Sequence, residues 1–275
     1  MSTVKVVEVR PEGASPFIKY LKFLSEKKGW GWDVETVPDF SKDLFNQATA
    51  LKIAPALADS VLPQLTVTPT LVRNVECLDS FFQEGAAWYP RLLIHEALRL
   101  VLISEARDLD ILAPAFVVGD NNEARVAGAV LAEMGISEVY LIGNTDKLRN
   151  HQRILSRSQV GVKFNILAAE DLTLQAVNVG IVINTENLTE QKSLLVDLSY
   201  FNFMKRLGYV LDANLLPVQN LLLEEAEKAD LRVLSPVLVA KVYTRLWLER
   251  MLPEEQQLSR QEIDDSWTEF LKTMS

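Results

Sequence analysis

Ala115-Phe-Val-Val-Gly119-Asp-Asn-Asn-Glu-Ala124-Arg125 is the stretch on which the fold turns. A run of apolar residues this short, closed by a glycine, suits a strand buried on both faces better than a helix. Small and apolar residues then recur at helical spacing over 122–134, and Gly135 supplies a C-terminal stop. A buried strand passing through a glycine turn into an amphipathic helix is the first half of a β-α-β unit.

The alternation continues downstream. Residues 139–142 read as a strand, followed by a polar helix to about Arg157, strands at 162–166 and 180–184, a helix over 215–229 and a last strand at 231–234. Such spacing predicts a parallel sheet with right-handed crossovers, whose ligands sit beyond the carboxyl ends of the strands. Pro236 opens a long helix to Met251, Pro253 breaks it, and Ser259 with Glu262 forms a capping box for a final helix. Upstream, residues 4–9 read as a strand and 16–27 as a helix with Ser15 as N-cap and Pro16 in the first turn. Residues 30–37 alternate as a strand. Asp39 or Ser41 caps a helix carrying Leu44, Phe45, Ala48 and Leu51, residues 65–68 are β-prone, and Pro90 opens a helix to about Ala106.

The chain has 275 residues, 48% hydrophobic and 24% charged, with a net charge of -9. That is a soluble globular composition whose acidity disfavours nucleic acid and anionic membranes. One cysteine, Cys77, allows no intrachain disulfide. Two histidines, His95 and His151, stand far apart, and no CxxC, HExxH or acidic calcium loop suggests a metal. The N-terminus lacks the apolar core of a signal peptide, and no apolar run reaches membrane-spanning length. A reducing, cytoplasmic location is the expectation. Trp30, Trp32 and Trp247 fall on core faces; Trp88 is free to line a cleft.

Several local motifs, in order over about residues 13–250, resemble shikimate dehydrogenases. Gly13-Ala-Ser15-Pro16-Phe-Ile-Lys19-Tyr20 is similar to Ser-x-Ser-Pro-x-x-His-Asn, and Thr66-Val67-Thr68-Pro69 to Asn-Val-Thr-x-Pro-x-Lys. The opening stretch resembles Gly-Ala-Gly-Gly-Ala-Ala-Arg. Ile181-Val-Ile-Asn184-Thr185 resembles Ile-Asn-Ala-Thr, Asp197-Leu-Ser-Tyr200 resembles Asp-x-x-Tyr, and Val237-Leu238-Val239-Ala-Lys241 stands where Met-Leu-Val-x-Gln would be. Residues 201–214 read as additional relative to that family. The resemblance implies an α/β protein of two domains: a substrate-type α/β domain over 1–108, a Rossmann-like parallel-sheet domain over 109–235, and C-terminal helices over 236–275 packing back on the first.

It also locates what is missing. Gly119 takes the place of the first turn glycine, but Asp120, Asn121 and Asn122 follow where small residues and two glycines would be. A side chain there obstructs the approach of a pyrophosphate, and Asp120 and Glu123 repel it, at about 1 to 4 kcal/mol per close charge pair. The turn reads better as a capped strand-to-helix connection, with Asn121 or Asp120 as N-cap and Arg125 solvated or ion-paired. Thr145 holds the place of the arginine that grips an NADP phosphate, which would favour NAD over NADP; alternatively residues 144–146, led by Asn144, simply cap a helix. Asn184 and Thr185 complete the cofactor-side candidates. The lysine of the implied catalytic pair falls on Leu71, and Arg73, the nearest cation, cannot exchange a proton at useful pH. Its aspartate falls within residues 88–92, which contain none. His95 and Glu96, further on, read as exposed helix positions. Ser15, Thr68, Arg73 and Lys241 remain as substrate-side candidates; Lys241 serves either an acidic ligand or a neighbouring carboxylate.

No catalytic residue, metal or cofactor is therefore expected. The implied function is a degenerate shikimate dehydrogenase-like protein with a binding, scaffolding or regulatory role, its partner a protein or a small acidic ligand. The alternative is an NAD(P)-dependent oxidoreductase of the shikimate/quinate type, acting on an unidentified acid through an altered site.

Overall fold

The computed structural model describes residues 4–175 and 177–274. The chain forms two units, Met1–Ile94 with Ala240–Ser275, and His95–Val239.

In the first unit the elements run β1 (Lys5–Val9), α1 (Pro16–Lys28), β2 (Asp33–Val37), β3 (Ala50–Ile53), α2 (Ala58–Val61), α3 (Thr70–Val75), β4 (Ser80–Glu84) and β5 (Ala87–Arg91). The sheet order is β2-β1-β3-β4-β5; β1 is parallel to β2 and β3, and the other pairs are antiparallel. The chain then enters α4 (Leu93–Glu105), and much later returns as α9 (Pro236–Met251) and α10 (Arg260–Lys272). Both late helices join the first unit's core. Tyr243 and Trp247 of α9 pack on Phe17, at ring-centroid distances of 4.8 and 5.5 Å. Trp267 of α10 stacks on Tyr20 of α1 at 4.0 Å, and the Tyr20 hydroxyl meets Ser266 Oγ at 2.6 Å. The helix α1 starts and stops where expected: Ser15 Oγ accepts from Ile18 N, and Gly29 closes it in the left-handed region at φ 66°.

The second unit is built on β6 (Ala115–Val118), α5 (Asn122–Glu133), β7 (Glu138–Ile142), α6 (Thr145–Ser158), β8 (Lys163–Leu167), β9 (Val179–Asn184), α7 (Lys192–Ser199), β10 (Met204–Asp212), α8 (Leu221–Lys228) and β11 (Arg232–Leu234). All six strands are parallel, in the order β11-β10-β9-β6-β7-β8. The chain moves outward from β6 to β8, then returns to lay β9 on β6's other side. The carboxyl ends of β6 and β9 therefore flank the switch point at which such sheets bind ligands. Phe116, Val118, Val182, Phe203 and Val210 form much of the core beneath it.

Several expectations need correction. Residues 42–46 form only a 3-10 turn, capped by Ser41, and the following run containing Leu51 is the interior strand β3. Residues 65–68 are not a strand; they lead into α3. Pro90 does not start a helix but sits in β5, an edge strand, where its missing N–H is tolerated. The α4 N-terminus is instead capped from a distance by Asp79, which accepts from Leu93 N at 3.1 Å and Ile94 N at 2.6 Å. Residues 201–214, read as additional sequence, contain β10, which is paired on both sides. The motif Asp197–Tyr200 falls on α7 and its end, with Tyr200 66% exposed. The helix expected over 215–229 begins only at Leu221, after the Asn220 N-cap. Trp30 and Trp32 are half-buried and stack on each other at 4.7 Å, whereas Trp247 is fully buried. Trp88 stacks on Phe45 and donates to the Phe45 carbonyl at 3.1 Å.

Candidate functional site

At the switch point the chain's own side chains bond to the turn that follows β6. Gly119 leaves β6 with φ at +131°, and a Cβ there would lie 2.1 Å from Thr185 Oγ1. The Thr185 hydroxyl points at the Val118 carbonyl, 2.9 Å away, with Asn121 Oδ1 at 3.1 Å. Asn121 is the N-cap of α5: its Oδ1 accepts from Ala124 N, and its Nδ2 donates to the Thr185 carbonyl, both at 2.9 Å. Thus the glycine admits a threonine from the neighbouring strand end.

The next N–H on the turn is also taken. Asp120 N donates to Glu186 Oε1 at 3.0 Å, and Gln191 Nε2 donates to Glu186 Oε2 at 2.9 Å. A carboxylate of the chain therefore sits where the N-terminus of α5 would receive an anion. Its backbone is fixed as well. Asn184 Nδ2 and Asn214 Nδ2 both donate to the Glu186 carbonyl, at 2.9 and 2.8 Å, and Glu186 N donates to Asn184 Oδ1 at 3.2 Å. On the other side of the turn, Lys147 pairs with Asp120 Oδ1 at 2.9 Å, and His151 Nε2 donates to the Asp120 carbonyl at 2.9 Å. Asp120 and, more weakly, Glu186 hold the Lys147 ammonium above its ordinary pKa.

The cofactor-side candidates are thereby accounted for. Gly119, Asn121, Asn184 and Thr185 meet at this turn; Asn122 is buried in the first turn of α5. Arg125, expected to be solvated or ion-paired, is 1% exposed, which rules out the solvated setting. Asn144 caps α6, accepting from Asp146 N and Lys147 N, and Thr145 is that helix's first residue. His95 is not exposed: it is buried, with Nε2 3.3 Å from Glu133, whose carboxyl it holds below the usual pKa.

The substrate-side candidates each have a different setting. Ser15 is a buried cap whose N–H donates to Glu8 Oε2 at 2.8 Å. Thr68 lies in the loop before α3, and Arg73 is exposed on that helix. Lys241 pairs with Asp264 of α10 at 3.1 Å.

What sequence reasoning missed in this unit is a polar row across the sheet. Glu8, Lys52, Ser80 and Arg91 are register neighbours on consecutive strands and so share a face. Lys52 meets Glu8 at 3.0 Å, with both side chains almost wholly buried. Ser80 Oγ donates to Asp79 at 2.5 Å and receives Trp247 Nε1 at 3.1 Å. Burial pushes the Asp79 carboxyl above its ordinary pKa, against its hydrogen bonds and the charge of Lys52. One hint was available: a lysine and an aspartate inside apolar runs, where only paired charges survive. Among the described residues no group of three or more acidic, histidine or cysteine side chains is placed to hold a metal ion, and no helix is long and apolar enough to cross a membrane.

A cavity of about 270 Å³ opens beside the switch point, between the ends of β9 and β10 and the start of α8. Leu188, Leu195, Leu216, Pro217 and Leu222 line it, with Asp212 and Asn214 as polar wall.

No family model matches the chain, and no curated protein matches it in sequence. Solved structures do match. The shikimate 5-dehydrogenase of Listeria monocytogenes, in complex with shikimate and NAD, is 12% identical with a TM-score of 0.76, over 96% of this chain and 95% of that one. The quinate dehydrogenase of Corynebacterium glutamicum, in complex with NAD, is 11% identical with a TM-score of 0.79, over 98% and 99%. The ligand-free 5-ketofructose reductase of Gluconobacter sp. strain CHM43 is 11% identical with a TM-score of 0.77, over the whole of both chains. At full coverage and such low identity, the likeness lies in the backbone: this chain has the two-domain fold of the shikimate and quinate dehydrogenases.

Proposed function

We propose that this protein is a catalytically degenerate form of the shikimate dehydrogenase scaffold, with a binding, scaffolding or regulatory role in place of hydride transfer. The observation that carries the reading is the Glu186 carboxylate bonded to Asp120 N at the α5 N-terminus. A pyrophosphate oxygen would need that N–H and would meet Glu186 as a like charge, while Thr185 fills the space over Gly119. These residues do not fit a dinucleotide. The first unit supports the same reading: its buried lysine is neutralised by Glu8, and Asp79 is committed to the α4 N-terminus. A proton-transfer pair needs one member free to reach substrate.

Calorimetric titration with NAD and with NADP, alongside assays of shikimate and quinate oxidation, tests this. Neither dinucleotide should give a saturable heat, and neither acid should be oxidised. Saturable NAD binding with NADH formed from either acid would establish the rival reading, an oxidoreductase with an altered site.

A further inference from the structure

We propose that the second unit binds a compact, mainly apolar molecule carrying a neutral or cationic hydrogen-bond donor, in the cavity between the ends of β9 and β10. The inference rests on the reading that the switch point is closed, and moves the ligand one strand along the same carboxyl edge. The cavity's volume, about 270 Å³, is close to the lower end of small-molecule pockets, roughly 300 Å³, so a single ring with a short substituent fits. Its floor is apolar and buried, with Leu188 7% and Leu222 1% exposed, while Leu216 and Leu221 at the mouth are 37% and 53% exposed. An apolar body would therefore bury leucine surface that water now touches.

The polar wall sets the charge. Asp212 is 4% exposed. Its Oδ1 accepts from Asn214 N and Nδ2, both at 2.8 Å, and its Oδ2 from Asn184 Nδ2 at 3.1 Å. A carboxylate has about four acceptor positions, so one remains for a donor on the ligand. No lysine or arginine is among the residues lining the cavity. The nearby α8 N-terminus is capped by its own Asn220, whose side chain accepts from Leu223 N at 3.1 Å. An anion would thus face a buried carboxylate with no counter-charge.

Benzylamine, benzyl alcohol and benzoate share a ring and differ in charge, which makes them suitable probes. Methyl resonances of Leu188, Leu195 and Leu222 in the full chain should shift saturably with benzylamine and benzyl alcohol, more tightly with the amine. Benzoate should leave them unmoved at the same concentrations. Leu221→Trp, at a half-exposed mouth position, should abolish the shifts while the spectrum stays folded, and Asp212→Asn should remove the preference for the amine. Equal binding of benzoate, shifts surviving Leu221→Trp, or three probes that move nothing would overturn the proposal. NAD added to the same sample reports separately, through the amides of Asp120 and Asn121. Movement there overturns the closed switch point, whatever the leucines do.

Discussion

Gly119→Ala tests whether the turn glycine exists for Thr185. The added Cβ would sit 2.1 Å from Thr185 Oγ1 and 3.1 Å from Glu186 Oε1, on a backbone at φ +131° that L residues rarely adopt. The backbone strain costs about 1–3 kcal/mol. Relieving the contact turns the Thr185 hydroxyl away from the Val118 carbonyl, a loss of about 1 kcal/mol. That carbonyl keeps a second donor, Thr185 N at 2.8 Å, so the lower end of the hydrogen-bond penalty applies. The expected total is about 2–4 kcal/mol. Thr185→Ala alone should cost about 1 kcal/mol. In the double variant the hydroxyl no longer collides, so the combined loss should fall short of the sum by about 1 kcal/mol or more. All five tryptophans (Trp30, Trp32, Trp88, Trp247 and Trp267) lie in the first unit, so their emission does not read this site. Hydrogen exchange of the β6 and β9 amides does, and its opening free energies supply the cycle. Additive losses, or a Gly119→Ala protein within about 0.5 kcal/mol of the parent, would refute the idea that the glycine accommodates Thr185.

Other outcomes follow from the first unit. Lys52→Met leaves Glu8, 0% exposed, without its counter-charge and should cost about 3–5 kcal/mol; adding Glu8→Gln should recover much of it, as read by tryptophan emission in urea. Trp267→Ala removes the 4.0 Å stack on Tyr20 and a 3.0 Å hydrogen bond to Thr244, and should cost about 3–5 kcal/mol in the same assay. Lys28 and the Ser259 cap hold the Glu262 carboxyl down to about 2, from an ordinary 4.5. Since the folded value is the lower one, this stabilisation is complete above about pH 4.5 and is lost as pH falls toward about 2. The side chain is 47% exposed, so the effect should be about 1 kcal/mol. Glu262→Gln should flatten that part of an acid denaturation profile.

The strands and helices of the second unit were legible wherever hydrophobic period and caps agreed, as at Asn121, Asn144 and Gly135. In both units elements were misread where local chemistry and tertiary pairing disagreed. Pro90 looks like a helix start until β4 is there to pair with it. The strand β10 contains Lys205, Arg206 and Gly208, which hide its alternation, yet it is held from both sides by β9 and β11. The loss of the turn glycines was visible in the sequence, but what replaced them was not. Glu186 lies 66 residues from Asp120, and only the parallel pairing of β6 with β9 brings them together. Lys52 and Asp79 were passed over for the same reason: each makes sense only beside a partner on another strand.

The first unit is assembled from both ends of the chain. Emerging from a ribosome, Tyr20 waits for Trp267 and Phe270, which arrive some 250 residues later. The second unit has all its strands by then and can close first. Until the last helix is made, the aromatic face of α1 lies open, and a nascent chain stalled before residue 259 is the form in which a chaperone would find it.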